Sequence, residues 1–375
     1  MSSDTNEHNI STIAIVGVGL IGGSLAAALR RAGFDGKILG ISSPKTLSEG
    51  RRLGLIDEGF PYDGLVDAAS QADLIVLCSP ISIIISHLET LGAAANKLKP
   101  GAIVTDVGST KADVVEAGER LLPEGVHFVG GHPLAGSENR GIAAADPFLF
   151  QNAYYVLCPS PKAPESARSR LGALLDLTGA RVVVLEAAAH DRVAAAISHL
   201  PQLLAVELVT YLDTLGDNTG IAKHLAAGGF RDMTRIASSP YSVWKDIFAT
   251  NRHEVVEAVR AFAKALESRV EAWSDDEVSE TFDRAAVTRA EIPKDTKGFL
   301  KRLWDVLVEV EDTPGMILGV VGPLTERGIN VKDIEVLKVR EGEGGTMRLA
   351  FATQELASEA VEVLTEANYK ARLRD

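Results

Sequence analysis

The stretch "TIAIVGVGLIGGSLAAALRRAG", residues 12–33, constrains the fold more than any other. A β-branched run ends in Gly17, Gly19 and Gly22, spaced G-x-G-x-x-G, and an apolar segment of helical period follows at once. A strand, a turn and a helix give each glycine a task. The first permits the tight turn, the second lets a pyrophosphate approach the backbone, and the third lets helix and strand pack closely. The helix N-terminus, opened by Leu20 and Ile21, then faces the anion. The chain is therefore expected to begin with a dinucleotide-binding unit.

The same alternation continues to about residue 186. "TIAIVGV", "GKILGIS", "DLIVLC", "AIVTDVG", "HFVGG", "AYYVLC" and "ARVVVLE" read as strands, nearly continuous in apolar character, as parallel strands buried on both faces should be. Helical patterns separate them. The order predicts an α/β domain over residues 1–186, a doubly wound Rossmann-type parallel sheet. From Ala187 the alternation stops, and an alanine- and leucine-rich stretch predicts an all-helical substrate and dimerisation domain over 187–292. It is broken only at "LGDNTG", "AAGGFRD" and "ASSPYS". A charged linker, "RAEIPKDTKGF", leads to residues 300–375, which read strand, helix, strand, strand, helix: a small α+β module with its own core. "EGEGG" reads as its hairpin turn.

Composition narrows the function classes. A chain of 375 residues, 46% hydrophobic and 24% charged, has apolar material for two or three packed domains. Its 51 acidic against 38 basic residues give a formal charge of -13, and no basic tract carries interleaved aromatics, which excludes nucleic acid as a partner. No run approaches the roughly 20 apolar residues of a bilayer span, and "MSSDTNEHN" lacks a signal-peptide pattern, so a cytoplasmic protein without a membrane partner is expected. Cys78 and Cys158 lie in apolar runs and read as reduced core thiols. No grouping of ligand residues calls for a metal.

Several polar residues stand where ligands bind in open α/β sheets, beyond the carboxyl ends of the strands. The second strand ends in Ser42 and Ser43 instead of the carboxylate that would hold the ribose of NAD, with Lys45, Arg51 and Arg52 near by. The cofactor is thus NAD or NADP. Ser79 ends the third strand, and Asp106 and Ser109, in "TDVGSTK", end the fourth; Asp106 is assigned to the cofactor. "GGHPLAGSE" places His132 and Glu138 just past the fifth, so these two loops should flank the nicotinamide. His127 reads as a core residue, and His87, His190, His224 and His253 as surface or packing residues of helices. His199 stands two residues before Pro201, whose kink is expected to turn the imidazole out of the packing. Asp232 and Arg235, three apart, should pair while the arginine offers a fork to a carboxylate. Glycines before them and Trp244 after them mark a shaped ligand loop.

"GVGLIGGSLA", "DVGSTK", "GGHPLAGSE", "SHLPQ" and "GGFRDMTRIASSPYSVWKDI" together resemble the prephenate/arogenate dehydrogenase family over nearly the whole chain. "VEVEDTPGMILGVVGPLTERGINVKDIEV" resembles an ACT domain, the amino-acid-sensing module of some members. The resemblance implies that His132 accepts the proton of the substrate's ring hydroxyl while a hydride leaves the same carbon, and that Ser109 aligns the pair. It implies that Arg235 holds a substrate carboxylate, that Asp232 orients Arg235, and that Glu138, His199, Gln202 and Trp244 line the pocket. Gln202 stands where many prephenate-using members have a second histidine, so prephenate and arogenate both stay open as substrates. The tail implies a tyrosine effector, with Asn330 at its pocket, and a homodimer. A β-hydroxyacid or 6-phosphogluconate-type dehydrogenase shares the architecture, but its G-x-x-x-K helix is missing here. A non-catalytic sensor would not need the Ser109 and His132 loops.

Overall fold

The computed structural model describes residues 10–136, 139–292, 303–311, 313–340 and 344–374, with backbone alone at 337–340 and 344. They fall into two compact units, Met1–Thr281 and Phe282–Asp375.

The first unit is built on an eight-stranded sheet in the order β3-β2-β1-β4-β5-β6-β7-β8. The strands are β1 (Thr12–Val16), β2 (Lys37–Ile41), β3 (Glu58–Phe60), β4 (Leu74–Leu77), β5 (Ile103–Asp106), β6 (His127–Pro133), β7 (Tyr154–Pro159) and β8 (Arg181–Val184). Along β1, Ile13 and Ile15 pack with the helices Leu20–Arg31 and Glu165–Asp176. Ala14 and Val16 pack on the other face with Ile81–Ala93 and Ala112–Leu121. Both faces are covered, which is why the strands read as continuous apolar runs.

Two details depart from the sequence reading. β3 is an extra strand, only three residues long ("EGF") and without a β-branched signal. β7 runs antiparallel to β6. Among the described residues the connection between them holds the 3-10 turn Ile142–Ala144 and no crossover helix, and the chain returns in the opposite direction.

The helical part begins with Ala187–Ala194, continues through a π-helical turn at Ala195–His199 and runs on as Leu200–Tyr211. Pro201 has no N–H to give to the preceding turn, and the backbone widens into the π turn just ahead of it. The distortion stays inside the packing, so His199 is 1% exposed and is not turned outward as its proline neighbour led us to expect. The three anticipated breaks coincide with the turn Leu212–Asn218, the start of Gly228–Thr234 and Ser239-Pro240 before Tyr241–Thr250.

By length and composition the helical stretch Ala187–Leu225 could cross a membrane, which the sequence reading did not anticipate. His190, Asp191 and Arg192 interrupt any strictly apolar run, yet the mean hydropathy of a window in it reaches 1.5. The stretch instead buries His190, Asp191, His199 and Gln202 and leaves Val193, Ile197, Val209, Tyr211, Ile221 and Leu225 exposed on a single copy of the chain.

The second unit is a four-stranded antiparallel sheet in the order β10-β11-β9-β12. It runs β9 (Trp304–Val310), helix Met316–Glu326, β10 (Asp333–Arg340), β11 (Gly344–Phe351), helix Gln354–Glu366 and β12 (Ala371–Leu373). β12, three residues long, adds a last strand that the sequence pattern did not reveal. Val306, Val308, Val320, Leu324, Met347, Leu349 and Phe351 form a separate core.

Candidate active site

The carboxyl ends of β1, β4, β5 and β6, mutually parallel neighbours, lie along one edge of the sheet and carry most of the candidate residues. At the end of β1 the glycines divide their tasks as their spacing requires. Gly17 has φ +92°, and a Cβ there would lie 2.3 Å from the carbonyl oxygen of Cys78. A Cβ on Gly22 would meet the Gly17 oxygen at 2.4 Å and Ile15 Cγ2 at 2.8 Å. Around Gly19 a Cβ would meet nothing within 4 Å, so a phosphate can reach the backbone at the mouth of the helix Leu20–Arg31, where the first N–H groups have no intrahelical partner. This cradle fits a dinucleotide pyrophosphate, with Leu20 and Ile21 supplying helix N–H donors.

Beside it, Ser79 Oγ lies 3.5 Å from His87 Nε2 and 3.4 Å from where a Gly17 Cβ would be. Ser42 is buried at the end of β2, 3.5 Å from the Tyr62 hydroxyl, and Ser43 caps the helix Pro44–Arg52 through Thr46 N. Two of the basic residues near by are engaged: Arg52 pairs bidentately with Glu49, and Arg51 donates to the carbonyl of Gly59.

Asp106, expected at the cofactor, is placed differently. It is fully buried and accepts from Gly108 N at 2.7 Å, from Gly131 N at 3.0 Å and from the ammonium of Lys111, itself fully buried. Lys111 also donates to the Gly131 carbonyl at 2.8 Å. A charge pair at this depth persists only when its remaining hydrogen bonds are satisfied. These are, and the result ties the Ser109 loop to the strand that carries His132. A Cβ on Gly131 would lie 2.5 Å from the Asp106 backbone oxygen, so the Gly-Gly before His132 answers to the close approach of β5 and β6.

His132 is within β6, paired with Val156 of β7, and not in the loop beyond it. Its Nδ1 is 2.8 Å from His190 Nε2, with the rings edge to face at 5.1 Å. His190 Nδ1 is in turn 2.8 Å from Asp191 Oδ1. The two oxygens of Asp191 also accept from Lys111 N at 2.7 Å and Ala112 N at 2.8 Å, at the start of the helix Ala112–Leu121. Burial, and after it the charge of Lys111, holds the His132 imidazole well below the ordinary histidine range, so the ring is neutral near pH 7. His190 was read as a surface or packing residue; it is 3% exposed and bridges His132 to Asp191. Ser109 is half-buried on the same edge and stands outside this chain of bonds.

The helical part closes over the edge. Asp246 accepts from the backbone and hydroxyl of Ser82, Thr250 bonds Thr110, and Asn251 Nδ2 donates to the carbonyl of Asp191 at 2.9 Å. Asn251 also lies 3.2 Å from His199 Nδ1, and His199 meets Trp244 edge to face at 6.0 Å. Trp244 Nε1 donates to Ser239 Oγ at 2.9 Å. Gln202, 3% exposed, donates to the carbonyl of Ile236 at 3.1 Å and so fixes the turn Arg235–Ser238.

Asp232 and Arg235 do not form the ion pair their spacing suggested. The helix Gly228–Thr234 ends between them, with Thr234 at φ -102° and ψ 2°, and Arg235 opens a separate 3-10 turn, so they no longer share a helical face. Both are exposed. Glu138 lies outside the described residues. The sequence reading missed Lys111, His190, Asp191 and Asn251. "DVGSTK" and "AAAHDRV" held the signal, a charged residue inside an otherwise apolar or small-residue segment.

A dinucleotide cradle and a part-buried, hydrogen-bonded histidine on the same edge of an open α/β sheet, roofed by a helical domain, define an NAD(P)-dependent dehydrogenase. Residues 25–184 match the family model described as prephenate dehydrogenase, nucleotide-binding domain; residues 186–285 match prephenate dehydrogenase, dimerization domain; residues 304–367 match the ACT domain. The chain is 34% identical to the prephenate dehydrogenase of Bacillus subtilis over 92% of its own length and 93% of that protein's. It is also 34% identical to the prephenate dehydrogenase of Lactococcus lactis subsp. cremoris, covering 95% and 98% of the two chains. Prephenate dehydrogenase from A. aeolicus, solved in complex with hydroxyphenyl propionate and NAD+, superposes with a TM-score of 0.69 at 32% identity, covering 77% of this chain and all of that one. Synechocystis arogenate dehydrogenase gives 0.67 at 30% identity, covering 75% and 100%. The chain belongs to the prephenate dehydrogenase family.

Proposed function

We propose that the chain carries out the oxidative decarboxylation of prephenate to 4-hydroxyphenylpyruvate, the step that leads to tyrosine. Bound NAD or NADP supplies the hydride acceptor, held by the Gly17–Gly22 turn with Leu20, Ile21, Ser42, Ser43 and Ser79 along it. His132 takes the proton of the ring hydroxyl at Nε2, the nitrogen left free by the bond from Nδ1 to His190. That bond carries the reading, because it commits Nδ1 and leaves Nε2 as the free nitrogen of a part-buried imidazole that is neutral near pH 7. Ser109 aligns the hydroxyl. Arg235, whose guanidinium forms no ion pair with a described residue, supplies a fork for a substrate carboxylate, with Asp232, Glu138, His199 and Trp244 around it. Losing the ring carboxylate as carbon dioxide makes the ring aromatic, so the protein has mainly to position substrate and handle one proton.

Replacing His132 by Asn should leave cofactor and substrate binding intact and lower turnover on the order of 10² to 10⁴-fold. Near-normal turnover at neutral pH would remove His132 from this role. Arogenate is the second reading. Gln202 favours it: a neutral carboxamide, committed to the Ile236 carbonyl, adds no cation to balance the side-chain carboxylate, which arogenate balances with its own ammonium and prephenate does not.

Residues 1–186, 187–292 and 300–375 are assigned to dinucleotide binding, to substrate binding with dimerisation, and to regulation. The match of 186–285 to a dimerization domain, together with exposed Ile197, Tyr211, Leu225, Phe282 and Val287, supports a homodimer. The match of 304–367 to an ACT domain supports an amino-acid effector, for which tyrosine is the candidate and Asn330, exposed ahead of β10, a contact residue.

A further inference from the structure

His132 poses a chemical problem. A part-buried imidazole near the ammonium of Lys111, desolvated by its surroundings, is a poor resting place for a proton, yet the reaction requires it to take one. The overall balance adds a second demand. Prephenate dianion and the oxidised cofactor give carbon dioxide, a keto-acid monoanion and the reduced cofactor, so no proton is gained or lost. The hydroxyl proton leaves as the hydride departs and the carbonyl forms. The electron pair of the breaking bond to carbon dioxide then enters the ring, and the resulting phenolate oxygen needs a proton back. The base must therefore hold one proton briefly and return it.

We propose that His190 and Asp191 are a positioning pair that sets the tautomer of His132 and shares the borrowed proton. The hydrogen bonds dictate the direction. Asp191 is a carboxylate that accepts two backbone N–H groups, from Lys111 and Ala112, and can only accept from the ring beside it. His190 Nδ1 is therefore the donor to Asp191, and His190 Nε2 is left as an acceptor. His132 Nδ1 must then donate to His190 Nε2, which leaves Nε2 of His132 unprotonated. When that nitrogen takes the substrate proton, the Nδ1 proton of His132 shifts to His190 Nε2. The positive charge comes to rest on the ring that faces a carboxylate, and both shifts reverse when the phenolate reclaims its proton.

The other charged and titratable groups around the pair do not supply this. The Lys111 ammonium is committed to Asp106 and the Gly131 carbonyl, and His199 is held to about 4 by burial. Cys158 and Tyr155 on β7 are raised by burial and stay protonated. Asp113, on the helix that Asp191 caps, is raised by burial first and by Asp191 next.

The inference rests on His132 being the base, and the test separates the two. His190→Gln offers a carboxamide oxygen that still accepts from His132 Nδ1 but cannot carry a proton. Asp191→Asn can turn an NH₂ toward His190 and reverse both rings, as replacing the acid of a Ser-His-Asp triad reverses its histidine. In the ligand-free protein, ring nitrogen-15 NMR should show His132 protonated at Nδ1 in the parent and in His190→Gln, and at Nε2 in Asp191→Asn. Turnover should fall by about 10²-fold in His190→Gln and by about 10³ to 10⁴-fold in Asp191→Asn, with KM held within about twofold. The acid limb of the kcat profile should move to lower pH in His190→Gln, because the charged form of His132 has lost its support. If Asp191→Asn fails to fold, His190→Gln decides alone. Parent turnover and an unmoved pH profile in His190→Gln, with His132→Asn inactive, would overturn the relay and leave the base. An active His132→Asn would overturn the base itself, and with it the relay.

Discussion

The histidines show how little a residue's identity says until its neighbours are known. His132 stood out because the Gly-Gly-His-Pro stretch suggests a loop just past a strand at the ligand edge, although the residue in fact lies within β6. His190 did not, because its partner is 58 residues away and its own segment reads as an ordinary helix. His199 was read in the wrong direction, since a proline two residues on distorts a helix without saying which way a side chain will point. Its burial has a measurable consequence. The imidazole is held at about 4 against an ordinary 6.5, so the unfolded chain binds a proton there at a pH where the folded chain does not. Its contribution is therefore intact above pH 6.5 and is lost as the pH falls toward 4, and His132 adds to the same trend. The melting temperature should drop across that window, and His199→Gln, which removes one titrating group, should make the drop shallower. A drop equally steep in His199→Gln would show that the acid sensitivity lies in other groups.

Elements repeat the lesson at longer range. The parallel strands and the dinucleotide turn were readable because burial on both faces forces apolar continuity and the turn forces glycine. β3 and β12 escaped, each too short to show a pattern, and so did the reversal of β7, which depends on the absence of a crossover helix. The glycine turn lets two roles be told apart. Gly22→Ala would press a methyl against the Gly17 oxygen and Ile15, at a cost of about 1–3 kcal/mol and several degrees of melting temperature. Gly19→Ala meets no protein atom, so it should leave the melting temperature unchanged and weaken dinucleotide binding, because its methyl occupies the path of the pyrophosphate. Thermal scans with and without the dinucleotide would check both. Equal thermal loss in the two variants would contradict the division.

For the whole molecule, the family relationship and the geometry meet at one active edge, and along the sequence a dimerization-domain match and an ACT-domain match follow. A tyrosine effector at the tail requires that tyrosine bind a less active arrangement more tightly. Because residues 282–375 form a compact unit of their own, removing residues 300–375 should abolish inhibition by tyrosine while turnover persists. Inhibition undiminished in the shortened chain would place tyrosine at the active site. The chemistry of the active edge is open to a single test. The full chain is mixed with prephenate and NAD or NADP, and reduced nicotinamide, carbon dioxide and 4-hydroxyphenylpyruvate are quantified together. Equal amounts of all three, formed at a rate that collapses in His132→Asn, are predicted; no reduced nicotinamide with prephenate under either cofactor would contradict the account.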